Sequence, residues 1–157
     1  MSSTEENVNQ GDKPVFHTIV VPIDLEQESS WVKTLPVAVH YASDTEAKLH
    51  VITIVPDNLL RMTVVAQLIP EGYEERLERD AEKKLAKVVE ANVQGDIEIQ
   101  QAVRRGNVYK EILRYARDVH ADLIIMAAHR PEVSDYLLGS NAAEVVHHSG
   151  CSVWIIR

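Results

Sequence analysis

The residues most able to do chemistry lie near the end of the chain. An apolar run, Asp122-Leu-Ile-Ile-Met-Ala-Ala128, leads into His129-Arg130-Pro131 and then into Leu137-Leu138-Gly139-Ser140-Asn141. A buried strand, a loop and a Gly-Ser helix start can together hold a phosphate. The first N–H groups of a helix have no intrahelical acceptor and point at an anion, and the helix dipole favours its charge. A second acidic candidate, Asp24, ends the apolar run His17-Thr-Ile-Val-Val-Pro-Ile23. Such a pair implies a phosphorylated ligand, a nucleotide, without yet implying a reaction on it.

The elements that must position these groups alternate along the chain. After Ile23, the residues Trp31, Leu35, Ala38, Val39 and Ala42 recur at helical spacing. Pro36 either kinks that helix or stands just inside its start. A second strand runs from Leu49 to Val55. Residues 56–70, bordered by Pro56 and Pro70, lack periodicity over a length that often covers a site. Leu77, Ala81, Leu85 and Val88 mark an amphipathic helix ended by Gly95-Asp96, and its charged run Glu74 to Lys84 reads as a solvated face. Ile97, Ile99 and Val103 form a partly alternating, edge-like strand. Gly106-Asn107 opens a helix with Val108, Ile112, Tyr115, Ala116 and Val119 on one face. Leu123–Ala127 is the fourth strand, residues 140–149 the last helix and Ser152–Ile156 the fifth strand.

This β-α-β-α-β-α-β-α-β order predicts an α/β fold, one parallel sheet covered by helices on both faces. In open sheets of this kind a ligand sits beyond the carboxyl ends of the strands, at the reversal of winding. Both Pro22-Ile23-Asp24 and Ala127 to Asn141 follow such an end.

The bulk properties narrow the partners. The 157 residues suit one domain, with 45% hydrophobic and 25% charged residues. A net charge of −8 disfavours nucleic acid and anionic membranes. No apolar run approaches the roughly 18 residues of a spanning helix. The N-terminus lacks a signal-peptide pattern and the single Cys151 suits a reducing compartment, so a cytoplasmic location is expected. Residues 1–14 are nearly devoid of apolar side chains and read as a disordered tail before a domain spanning 15–157.

Val20-Val-Pro-Ile-Asp24, Leu49-His50-Val51, Gly106, Ile125-Met-Ala-Ala-His129, Leu137-Leu-Gly-Ser140 and the closing Val153-Trp-Ile-Ile-Arg157 together resemble the universal stress protein family over about residues 15–157. The resemblance implies a five-stranded sheet of order 3-2-1-4-5, the adenine nucleotide alpha-hydrolase-like fold. It also implies ATP binding, with Asp24 on the ribose, Pro22, Val51 and Met126 near adenine, and Ile23 among the nucleotide-binding residues. Many members carry a Gly-x2-Gly-x9-Gly-Ser/Thr loop. Here Ala127 and Arg130 replace the first two glycines, and eight residues separate Arg130 from Gly139, as in the F-type branch.

Alanine at 127 requires a negative φ there. Arg130, with His129, can supply the charge that the missing glycine cradle would have given, and the amides of Gly139, Ser140 and Asn141 hold the other phosphate oxygens. Magnesium would enter with the nucleotide near Asp24. Family members commonly dimerise through the last strand, here Val153, Trp154 and Ile155.

The plainer readings stand beside these. Asp24 can cap its own loop, Ser140 can be an N-cap, and Pro22, Val51 and Met126 can be core. His147 and His148, adjacent on a helix, are poorly placed to chelate one metal. The expected protein is therefore an ATP-binding regulatory homodimer with a protein partner yet to be identified. The alternatives are a nucleotide-free interaction module and a slow ATPase or phosphotransferase. Asp24 and His129 are candidate groups for the latter, but no complete phosphoryl-transfer constellation accompanies them.

Overall fold

A computed structural model describes residues 16–57, 69–128 and 138–157. The proposed tail, most of the 56–70 stretch, and His129 and Arg130 lie outside these residues. Five strands, β1 (Thr18–Ile23), β2 (Lys48–Pro56), β3 (Ile99–Gly106), β4 (Leu123–Ala127) and β5 (Ser152–Ile156), form one sheet. Its order is β3-β2-β1-β4-β5 and every pairing is parallel. Among the described residues the intervening α-helices are α1 (Thr34–Thr45), α2 (Tyr73–Asn92), α3 (Val108–Asp118) and α4 (Ser140–His148).

The strands are apolar on both faces because each face is covered, and the two-residue period sorts them. Ile19, Val21, Leu49, Val51, Leu123 and Ile125 pack with Leu35, Ala38 and Ala42 of α1 and Leu85 and Val89 of α2. Val20, Ile52, Ile124 and Met126 point the other way, onto Ile112 and Tyr115 of α3 and Ala142 and Val145 of α4. Each fully buried Leu or Ile contributes on the order of 1.5–3 kcal/mol by leaving water. The outer strand β3 is half-buried or exposed along its length up to the buried Gly106, as an edge strand should be.

Local chemistry explains the ends of these elements. Pro36 is the third residue of α1, within the first turn, where a missing N–H costs nothing, so α1 begins just before it. The Asn107 side chain caps α3 by accepting from the Lys110 amide at 3.2 Å. Gly106 precedes it with φ 140°, a conformation that side chains rarely adopt. A Cβ there would also meet the Glu111 side chain at 3.2 Å. The Asp122 carboxylate accepts from the amides of His17 and Thr18 at 2.8 and 3.0 Å, which ties the start of β1 to the start of β4.

Beneath the sheet, His50 is 3% exposed and its Nδ1 shares a 2.9 Å hydrogen bond with the Tyr115 hydroxyl. Burial lowers the His50 pKa below its ordinary value and nearby Lys48 lowers it further, against a smaller opposing effect of Glu98. Burial also raises the Tyr115 pKa, opposed by Arg104, whose guanidinium lies 5.0 Å from the ring centre. The unfolded histidine, near pH 6.5, therefore binds its proton more readily than the folded one. Its contribution to stability is complete above about pH 6.5 and is lost as pH falls through the folded value. The urea midpoint is expected to fall between pH 7 and pH 5, and to fall less in His50→Gln. Identical pH profiles would remove His50 from the account.

Candidate functional site

The carboxyl ends of β1, β2 and β4 open into a cleft of about 1040 Å³. Parallel strands leave all their carboxyl ends on one side. The order β2-β1-β4 marks the reversal of winding, so connections leave in opposite directions and a crevice remains between them.

One wall is the start of α4. Gly139, not Ser140, is the N-cap of this helix: its φ and ψ are −58° and 150°, and its carbonyl accepts from the Ala143 amide at 2.9 Å. Ser140 is thus the first helical residue and makes no side-chain cap bond, because a capping hydroxyl must sit one position earlier. The Gly139 amide is also committed, donating to the Ala128 carbonyl at 2.9 Å, where it closes the base of the loop. The amides left at the helix start belong to Ser140, Asn141 and Ala142, and all three residues line the cleft. The first turn carries no acidic residue, so nothing there opposes an anion.

The floor follows from β1 and β4. Pro22 and Ile23 are buried and Asp24 is half-buried, and all three line the cleft, as do Met126, Ala127 and Ala128. Ala127 is an ordinary strand residue. Among the described non-glycine residues only Glu46 and His120 have positive φ, so alanine at this position carries no strain.

Asp24 organises its own loop, as the plainer reading held. Its Oδ1 accepts from the Glu26 amide at 3.0 Å, and its carbonyl accepts from the Gln27 amide at 2.9 Å. Ser30 Oγ accepts from the Asp24 amide at 2.8 Å and donates to the Asp24 carbonyl at 3.1 Å. The Thr34 hydroxyl in turn donates to the Ser30 carbonyl at 2.7 Å. This chain of bonds holds the aspartate against the start of α1.

Two expectations change. Val51 is fully buried in the core with Val21 and Leu49, away from the cleft, because it stands two residues short of Thr53 on β2. The charged run of α2 is not wholly a solvated face. Asp80, Lys83 and Lys84 line the cleft, and Lys84 pairs with Glu26 across its rim at 2.9 Å. The hydrogen bond that Lys84 donates to the Glu26 carboxylate raises the Lys84 pKa. Farther along the run, Glu74 and Glu78 pair with Arg105 of β3. Leu77, Ala81 and Thr53 also line the cleft. Sequence reasoning missed all three, since the apolar pair reads only as a core face and Thr53 as an interior strand residue. That Thr53 is the one hydroxyl in an otherwise apolar stretch, Val51 to Val55, was the available signal.

Elsewhere, His148 pairs with Glu144 at 3.3 Å and stacks on Tyr109. Among the described residues there is no group of three potential metal ligands. The half-buried Cys151 accepts a hydrogen bond from Ser149 at its carbonyl.

The profile of the universal stress protein family matches residues 16–157. The chain belongs to the universal stress protein family. It is 27% identical over 143 residues to Universal stress protein G of Escherichia coli O157:H7, covering 91% of this chain and all of that one. In fold it resembles a universal stress protein of Archaeoglobus fulgidus in complex with dAMP, at TM-score 0.64 and 16% identity, over 92% of this chain and 100% of that one. A universal stress protein in complex with cAMP superposes at TM-score 0.58 and 24% identity, over 92% and 98% of the two chains. The sheet order 3-2-1-4-5 of the family is the order found here.

Proposed function

We propose that this universal stress protein binds an adenine nucleotide, ATP with magnesium, and acts as a cytoplasmic regulatory homodimer in a stress response. One observation carries the reading. Ser140, Asn141 and Ala142 at the start of α4 and Asp24 after β1 line a single cleft. A helix start suits an anion and a carboxylate suits sugar hydroxyls, the two ends of a nucleotide's ribose phosphate. Related proteins of the same fold hold cAMP and dAMP, which supports an adenine nucleotide as the ligand class. His129 and Arg130 keep the role given by their chemistry, side-chain charge in place of two glycines. Magnesium joins through the phosphates beside Asp24, since that ion needs few protein carboxylates.

The dimer rests on β5. Its outer edge is unpaired among the described residues and its residues are half-buried or exposed. Trp154 is held edge-on by Tyr41 and Phe16, with ring centres at 5.2 and 5.7 Å, so the strand is presented rigidly. An apolar edge of this kind invites pairing with a second copy. Light scattering is expected to report a dimer, and a monomer at micromolar concentration would refute it.

The nucleotide is tested directly. Supernatant from freshly purified, denatured protein is expected to contain adenine nucleotide. Saturation with Mg-ATP at a hundred times Kd should raise Tm by about 5–10 °C. Protein that is empty and unmoved by millimolar Mg-ATP would instead be an interaction module.

A further inference from the structure

Three polar side chains are buried among the described residues, Thr34, His50 and Thr53. Thr34 donates to the Ser30 carbonyl and His50 is bonded to Tyr115. Thr53, 3% exposed, has no side-chain hydrogen-bond partner among the described residues. No fully occluded side-chain oxygen there lacks a partner, so the hydroxyl keeps its small exposure, and the surface that Thr53 contributes is cleft wall. A hydroxyl on the cleft wall with no protein partner among the described residues is available to a ligand atom.

Its place in the sheet says which part of a ligand it meets. Thr53 is the cross-strand partner of Ile23, the residue before Asp24. Across β4, β1 and β2 the groups therefore form a row: the α4 start, then Asp24, then Thr53, which is level with the end of β1 although β2 runs on to Pro56. At about 4.8 Å between strands the row spans on the order of 10 Å. With phosphate at the amides and ribose at Asp24, the nucleobase falls at Thr53. By the period of β2, Thr53 shares the face of Val51, toward α2, whose Leu77 and Ala81 wall the same cleft.

We infer that Thr53 is a base-recognising residue: its hydroxyl hydrogen-bonds the polar edge of the ligand's nucleobase while Leu77 and Ala81 cover the ring. A hydroxyl both donates and accepts, so it suits the mixed donors and acceptors of an adenine edge. The inference rests on the nucleotide reading above.

The test compares Thr53→Val and Thr53→Ser for binding of ATP and of ribose 5-triphosphate, which lacks a base. Valine keeps the volume and strand preference, and both variants are expected to melt close to the wild type. Thr53→Val should weaken ATP by about three- to tenfold and leave ribose 5-triphosphate unchanged, while Thr53→Ser keeps wild-type ATP affinity. Equal ATP binding by wild type and Thr53→Val would overturn this assignment alone. So would a loss shared equally by both ligands, since the hydroxyl would then serve the sugar or the fold. If the wild type binds no ATP at all, the nucleotide reading falls and this assignment with it.

Discussion

Ser140→Pro is expected to weaken ATP binding by about ten- to a hundredfold while leaving Tm nearly unchanged. Ser140 is the first residue of α4 and lines the cleft, and its amide is one of the orphans at the helix start. Proline is favoured at that position, with its fixed φ already helical. It also requires an extended residue before it, and Gly139 at φ −58° and ψ 150° is one. The substitution therefore deletes a charge-assisted donor, of about 1.5–3 kcal/mol, without disturbing the helix. Ser140→Ala removes only the hydroxyl and separates its share. Titration calorimetry on the two variants, alongside melting curves, reads the difference. An unchanged Kd in Ser140→Pro would mean that the phosphate does not use this helix start.

Leu35→Ala should show the opposite pattern, a loss of about 3 kcal/mol in stability with nucleotide affinity of the folded protein retained. Leu35 is fully buried among Ile19, Val21 and Ile125, so truncation leaves a cavity that close packing cannot fill. The same helix turn carries Thr34, whose bond to Ser30 steadies the Asp24 loop. That chain is backbone-anchored and survives the loss of the leucine side chain. Urea unfolding followed by circular dichroism measures the first effect. A loss under about 1 kcal/mol would show that α1 is not seated on the sheet as described. Together the two variants separate the binding surface from the scaffold that holds it.

Periodicity made most of the scaffold readable. Strands β4 and β5 fall where their apolar runs place them, and the weaker alternation around Ile99 marked β3 as an edge. Helix α4 was legible to within a residue, yet its cap was not. Ser140 and Gly139 are both acceptable caps by type, and one φ/ψ pair decides between them. The strand order came from family resemblance, because hydrophobic period carries no information about which strands are neighbours.

At the site, the residue types and their order already state the chemistry on offer. They supply a Gly-Ser helix start, an aspartate after the first strand, and an alanine compatible with an ordinary strand. Which of these groups meet follows from the folded arrangement of the strands and helices. Val51 lies two residues below the cleft, while Thr53, Leu77 and Lys84 come into it from elements far apart in the chain. The reason is geometric. A residue's type and local period fix its face on a strand or helix. Its height along the sheet, and hence whether it reaches the carboxyl edge, depends on the register between strands that contact only after folding.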